Sequence, residues 1–184
     1  MITPSASDRR SRTRRGLLRA LFALAVLALA APAGAQGFQA VTSRNGFDVW
    51  AVGDAGSWSR SFDGGATWTP GTLPTTRTLR GIAHRGVTVL AVGDSGLVFR
   101  SGDNGATWTR TVIAGTPDLK AVEMPADQVA VIVGANETIL RTVDGGAVWT
   151  PQGSPGAATL YGLRMTSATT GWACGSGGDR KSVV

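Results

Sequence analysis

One phrase recurs through this chain and limits what it can fold into: Ser61-Phe62-Asp63-Gly64-Gly65-Ala66-Thr67-Trp68. It returns as Ser101-Gly102-Asp103-Asn104-Gly105-Ala106-Thr107-Trp108. It returns again as Thr142-Val143-Asp144-Gly145-Gly146-Ala147-Val148-Trp149, with Val148 where the other copies have Thr. The three aspartates stand 40 and then 41 positions apart. An eight-residue pattern at near-constant spacing marks a repeat architecture, in which one supersecondary unit stacks on copies of itself.

Aligning the chain on that phrase brings other features into register. Phe38, Leu79, Leu119 and Leu160 each open a short segment: Gln39–Thr42, Arg80–Ala83, Lys120–Glu123 and Tyr161–Arg164. An apolar run ending in Gly follows: Val49–Gly53, Val89–Gly93, Ala130–Gly134 and, in the fourth copy, Gly171–Gly175. Then come a turn (Asp54-Ala55-Gly56, Asp94-Ser95-Gly96) and a strand ending in Arg-Ser or Arg-Thr, which the phrase closes. Short runs rich in Val, Ile, Trp and Thr, punctuated by Gly, Asp and Asn, read as β-strands joined by tight turns. No segment after Ala35 keeps a helical i, i+3, i+4, i+7 spacing over a useful length. Three or four antiparallel strands in about 40 residues make one propeller blade. The expected fold class is therefore all-β, a partial propeller of about three and a half four-stranded blades. Repeats fall near 38–78, 79–118, 119–159 and 160–178. The second strand is continuously apolar, as it should be where neighbouring blades cover both of its faces.

The phrase suits the turn between the third and fourth strands. Asp63, Asp103 and Asp144 can accept hydrogen bonds from turn amides, as Asx turns do. Gly65, Gly105 and Gly146 can take positive φ without steric cost. Trp68, Trp108 and Trp149 can bury a ring between blades while the indole N–H finds a carbonyl. On this reading the phrase is a packing device, and no catalytic residue is assigned to it.

The net charge of +6 suggests a nucleic-acid or membrane-surface partner, but its distribution removes that suggestion. Six arginines from Arg9 to Arg19 precede an apolar run, and Arg180 and Lys181 lie at the far end. Residues 36–178 hold ten basic and ten acidic side chains, so no nucleic-acid partner is expected. With Cys174 and His84 the sole residues of their types, neither a disulfide nor a Cys/His metal site can form. No metal or other cofactor is expected.

Residues 1–35 read as a signal peptide: an arginine-rich start, an apolar core from Leu21 to Ala31, and the small-x-small site Ala33-Gly34-Ala35. The core is too short for a comfortable permanent anchor. Cleavage after Ala35 gives a mature chain from Gln36 with no stable membrane anchor. An uncleaved anchor is the alternative. Thr13-Arg14-Arg15-Gly16-Leu17-Leu18-Arg19 resembles the twin-arginine export motif, and either export route leads out of a bacterial cytoplasm.

The repeated phrases resemble Asp-box (bacterial neuraminidase-type) repeats. The longer pattern, Ala-Val-Gly-Asp-x-Gly followed by Arg-Ser-x-Asp-x-Gly-Ala-Thr-Trp, is similar to the photosystem II stability/assembly factor family and its bacterial relatives. The similarity covers Phe38 to about Gly178. It implies a seven-bladed propeller that acts as a non-catalytic assembly chaperone for a membrane protein. In phototrophs that client is a photosystem II reaction-centre subunit, and the compartment is the periplasm or its thylakoid-lumen equivalent. The sequence names neither client nor host. The third copy departs from the pattern at Gly134-Ala135-Asn136-Glu137, where a differently built turn is expected.

After Gly178 the repeat predicts another strand and another Asp phrase, but the chain reads Asp179-Arg180-Lys181-Ser182-Val183-Val184. A common sequencing-library adaptor encodes this hexapeptide in one frame, so 179–184 is expected to be a foreign tail on an N-terminal fragment.

Arg60, Arg100 and Arg141 each stand three residues before their aspartate. They could form a patch that grips an acidic or C-terminal peptide segment bidentately. Alternatively, each pairs with a neighbouring acidic side chain or lies solvated. A sialidase or glycosidase is the enzyme alternative, and its nucleophile would have to be Tyr161, the single tyrosine. An extracellular recognition protein is a third possibility. His84 is expected in an exposed turn and Cys174 in a core slot shared with Val52, Val92 and Val133. Asp54 and Asp94 read as turn formers, and Trp58, in place of Val98 and Ile139, as a gap filler. The preferred reading is an exported, protein-binding propeller that aids assembly or stability of a membrane complex.

Overall fold

The computed structural model describes residues 37–153 and 156–183. The proposed signal peptide and its twin-arginine motif lie outside the described residues. Fifteen strands form four antiparallel sheets among the described residues, each in plain sequential order. The first sheet is β1 (Phe38–Ser43), β2 (Val49–Gly53), β3 (Ser57–Ser61) and β4 (Thr69–Thr72). The second is β5 (Leu79–Arg85), β6 (Thr88–Gly93), β7 (Leu97–Ser101) and β8 (Thr109–Val112). The third is β9 (Leu119–Ala126), β10 (Val129–Gly134), β11 (Ile139–Thr142) and β12 (Thr150–Pro151). The fourth has three strands, β13 (Leu160–Met165), β14 (Gly171–Gly175) and β15 (Arg180–Val183). The Asp phrase connects third strand to fourth in each of the first three sheets.

The sheets pack face to face, with β1, β5, β9 and β13 innermost around an open channel. This is the β-propeller arrangement, and each sheet is a blade. Its core is divided among the seams. Trp50, Val52, Leu79, Ile82, Ala91 and Phe99 fill the seam between blades 1 and 2. Leu90, Val92, Leu119, Val122, Ile132 and Leu140 fill the next, and Val131, Val133, Leu160, Met165 and Ala173 the third. Successive side chains of a strand point to opposite faces. The second strand therefore serves two seams at once, and β6 is buried along its whole length.

Two expectations about position need correction. His84 lies inside β5 and is buried, because that strand runs on to Arg85 before it turns. Cys174 is exposed, although Val52, Val92 and Val133 at the same register position are buried, because no blade among the described residues covers that face of β14. Arg180–Val183, read from sequence as foreign, form β15 and pair with β14 from Cys174↔Arg180 to Gly171↔Val183.

The turn after the second strand is built alike in all four blades, including the third. Ala55 and Gly56 have φ of 51° and 72°, Ser95 and Gly96 58° and 69°, and Asn136 and Glu137 57° and 53°. Asn tolerates this left-handed region, whereas Glu137 is strained there. Glu137 is held by its amide bond to the Ala158 carbonyl (2.7 Å) and by Lys181 (2.9 Å).

Candidate functional site

The Asp phrase closes on itself through a fixed set of bonds. In the first copy the Thr67 amide and hydroxyl donate to the two Asp63 carboxylate oxygens, at 2.8 and 2.5 Å. The Ser61 hydroxyl donates to Asp63 Oδ1 (2.7 Å) and accepts from the Gly65 amide (2.8 Å). The indole N–H of Trp68 donates to the Gly65 carbonyl (2.9 Å), with Gly65 at φ 96°. The second copy repeats every one of these bonds around Asp103. Hydrogen bonds from Thr67 and Thr107, chiefly from their hydroxyls, hold Asp63 and Asp103 down to about 2. With Val148 in the third copy, Asp144 instead accepts from Thr142 and from the Ala147 and Val148 amides. Its pKa is lowered, first by the Thr142 hydroxyl. Trp149 keeps its place, but its indole N–H has no partner among the described residues.

The second and third phrases seat themselves on the blade before them, whereas Trp68 of the first, expected between blades, is exposed. A Cβ at Gly105 would lie 2.4 Å from the ring of Trp50, and one at Gly146 would lie 2.7 Å from Leu90. Trp50, Trp58 and Trp108 form a cluster with centroid separations of 5.4 to 6.3 Å, Trp108 edge-on to Trp50. Trp58 thus stacks in the first seam.

The repeated arginines bridge the same seams. Arg60 donates to the Asn104 carbonyl (2.9 Å), Arg100 to the Gly145 carbonyl (2.8 Å) and Arg141 to the Ala168 carbonyl (3.3 Å). In every case the acceptor lies in a turn of the next blade. Arg60 also grips both oxygens of Asp48 and stacks on Trp50 and Phe62. It is buried. The structure thus places these side chains between blades, with Arg60 in the acid-paired arrangement. No common free patch is formed.

The charged groups that meet in one concave space are others. The channel is lined by Arg44, Arg80, Lys120 and Arg164, with Glu123 as its carboxylate and Tyr161 at one side. Gln39, Arg80, Lys120 and Tyr161 occupy one register position, directly after Phe38, Leu79, Leu119 and Leu160. Three of these four are fastened to the turn after a second strand. Gln39 donates to Asp54 (3.3 Å), Arg80 to Asp94 (2.9 Å), and Lys120 lies 3.6 Å from Asp94 and 3.2 Å from Asp118. The bond from Asp94 raises the Arg80 pKa, and the Ser95 amide lowers that of Asp118. Asp54 and Asp94 therefore orient channel residues as well as shape turns. The sequence carried this signal in its repeat register, but residues of four different types stand at the position, so no identity marked it. At the other end Arg164 meets Glu123 (3.4 Å), and His84 lies 3.8 Å from Asp48, burial pushing its imidazole pKa down. Among the described residues no cluster of His, Cys, Asp and Glu could hold a metal ion.

The architecture defines the class: an open run of propeller blades clasped by Asp-containing turns. No protein-family model and no curated protein matches the chain in sequence. Its fold is similar to that of YCF48 from Cyanidioschyzon merolae, with a TM-score of 0.65 at 17% identity, over 81% of this chain and 53% of the other. A structure of YCF48 bound to D1 peptide matches with a TM-score of 0.61 at 16% identity, over 80% of this chain and 53% of that one. An ancestral GH74 enzyme matches with a TM-score of 0.52 at 13% identity, over 79% and 25% respectively. The chain spans about half the length of the YCF48 chains it resembles. At these identities the likeness is one of fold.

Proposed function

We propose that this chain belongs to an exported, non-catalytic propeller that binds a polypeptide client and aids the assembly or stability of a membrane protein complex. The single observation that carries the reading is the basic channel, in a fold similar to that of YCF48, a protein solved with a D1 peptide. Arg80 and Lys120 are fixed by Asp94 and Asp118, yet both line the channel and keep further N–H groups to offer. A fixed guanidinium suits bidentate capture of a carboxylate, whether a side chain or a chain terminus. The client favoured is therefore an extended segment with acidic side chains or a free C-terminus. The repeat pattern points to the photosystem II assembly branch and the leader to the periplasm or an equivalent lumen.

Fluorescence anisotropy with labelled peptides tests the reading. A peptide with a free, acidic C-terminus should bind, and its amidated, neutral counterpart should bind at least about tenfold more weakly. Lys120→Glu should remove the difference. Equal binding of both peptides, or indifference to Lys120→Glu, would refute it. A carbohydrate-active enzyme is the second reading, favoured by the likeness to the GH74 fold and by the exposure of Tyr161 in the channel. Hydrolysis of aryl sialosides that is lost in Tyr161→Phe would establish it in place of the first.

A further inference from the structure

Two of the three asparagines precede a glycine, Asn45-Gly46 and Asn104-Gly105, and the fold treats the two pairs differently. An Asn-Gly pair can react with itself, because glycine has no Cβ to hinder its nitrogen as it approaches the asparagine side chain. Asn104 is pinned in the first seam. Its amide donates to the Val87 carbonyl (2.8 Å), its carbonyl accepts from Arg60 (2.9 Å), and the Gly105 amide donates to the buried Ser101 hydroxyl (2.7 Å). A Cβ at Gly105 would meet the Trp50 ring at 2.4 Å, so this peptide has no room to turn. Asn45 sits at the tip of the β1–β2 turn, where Ser43 to Phe47 are all exposed and nothing lies within 4 Å of a Cβ at Gly46. Its side-chain Oδ1 accepts from the amides of Phe47 (3.0 Å) and Asp48 (2.8 Å). The exposure belongs to the turn: in blade 2, which has a blade on either side, Gly86 and Val87 at the same place are exposed as well.

We infer that Asn45 is a site of spontaneous deamidation and that Asn104 is protected from it. The Gly46 nitrogen attacks Asn45 Cγ, the new N–C bond closes an imide ring, and the side-chain nitrogen leaves as ammonia with the proton of the Gly46 amide. The two amides on Oδ1 draw electron density from Cγ and stabilise the oxyanion that forms on attack, as an oxyanion hole does. Water then opens the imide at either carbonyl and leaves aspartate or isoaspartate at position 45. The Gly46 amide also donates to Ser43 Oγ (3.1 Å), but Gly105 makes the same bond to Ser101, so this contact does not separate the two pairs. The products differ in effect. Aspartate keeps an oxygen for the Phe47 and Asp48 amides. Isoaspartate adds a carbon to the main chain of the turn that presents Asp48 to Arg60 (2.9 and 2.8 Å) and the Phe47 carbonyl to the Gly64 amide (3.0 Å). It therefore loosens the first seam from its rim. The inference uses no property of the client, so it and the client reading can fail separately.

Peptide mapping of the full 184-residue chain, aged in mildly alkaline buffer with and without urea, tests it. In the folded chain Asn45 should convert at least about tenfold faster than Asn104, and isoaspartate methyltransferase should label the peptide that holds position 45. In urea the two should convert at similar rates, because Asn104 loses the bonds that pin it. An intact Asn45, or an Asn104 that reacts as fast in the folded chain, overturns the proposal. So does a ratio that survives in urea, since the neighbouring sequence and not the fold would then set it. The isoaspartate form, separated after ageing, should unfold at lower urea than Asn45→Asp. Equal midpoints would overturn the coupling of this turn to the seam.

Discussion

Strands β6 and β14 occupy the same place in blades 2 and 4, yet their surroundings differ. Every residue of β6 is buried, whereas β14 alternates, with Ala173 buried and Trp172 and Cys174 exposed. The first strands repeat the contrast: β5 is mostly buried and β1 mostly exposed. The repeat pattern supplies similar apolar side chains to both kinds of site. A neighbouring blade decides whether they are buried. In this fold the core therefore belongs to the seams, and a face without a neighbour presents core-type side chains to solvent.

The contrast can be broken most strongly inside a seam. Leu90→Ala opens a cavity between blades 2 and 3 and should cost about 3 kcal/mol in urea unfolding. The register-equivalent change at an outer face, Trp172→Ala, should stay within about 0.5 kcal/mol. Comparable losses at both would mean that seam position does not govern burial. Arg60→Ala should rank next, at about 2 kcal/mol, since it leaves Asp48 and the Asn104 carbonyl without their donor. Arg141→Ala should cost less, because its single bond at 3.3 Å is longer. Equal effects would detach the arginine from its bridging role.

Titration sharpens the comparison at lower amplitude. Asp63 and Asp103 sit at about 2 when folded, below the ordinary 3.8. Their contribution is therefore complete above that ordinary value and is lost as pH falls from 3.8 towards 2. Val148→Thr should give Asp144 the hydroxyl bond it lacks and lower its pKa further, as followed by carboxyl-detected NMR. An unchanged value would show that the third phrase is set by its backbone alone. His84 works in a higher window. Burial lowers its pKa, so the unfolded chain takes up the proton first, and stability falls as pH drops below about 6.5. His84→Gln should flatten that limb of the pH-stability curve.

Much of the fold was legible because each module repeats its strand lengths, its turn glycines and its Asp phrase. The closing of strand 3 onto strand 4 follows from Asp63, Gly65 and Trp68 and their copies. What escaped depends on neighbours that lie one repeat away. Cys174 shares its register with three buried valines, and no local pattern says that β14 has an uncovered face. His84 looked like turn material because the strand's last residues, Ala83 to Arg85, carry no period-2 pattern. The arginines were visible as a repeat, but their acceptors are backbone carbonyls of the next blade, which no side-chain pattern records. The channel was hidden for the opposite reason. Gln39, Arg80, Lys120 and Tyr161 share a place without sharing a chemistry.

Hydroxyl-radical footprinting of the tryptophans tests the seam account most directly. Trp50 and Trp108 should stay protected, and Trp68 and Trp172 should be oxidised readily. Equal labelling of all four, or protection of Trp172, would contradict it.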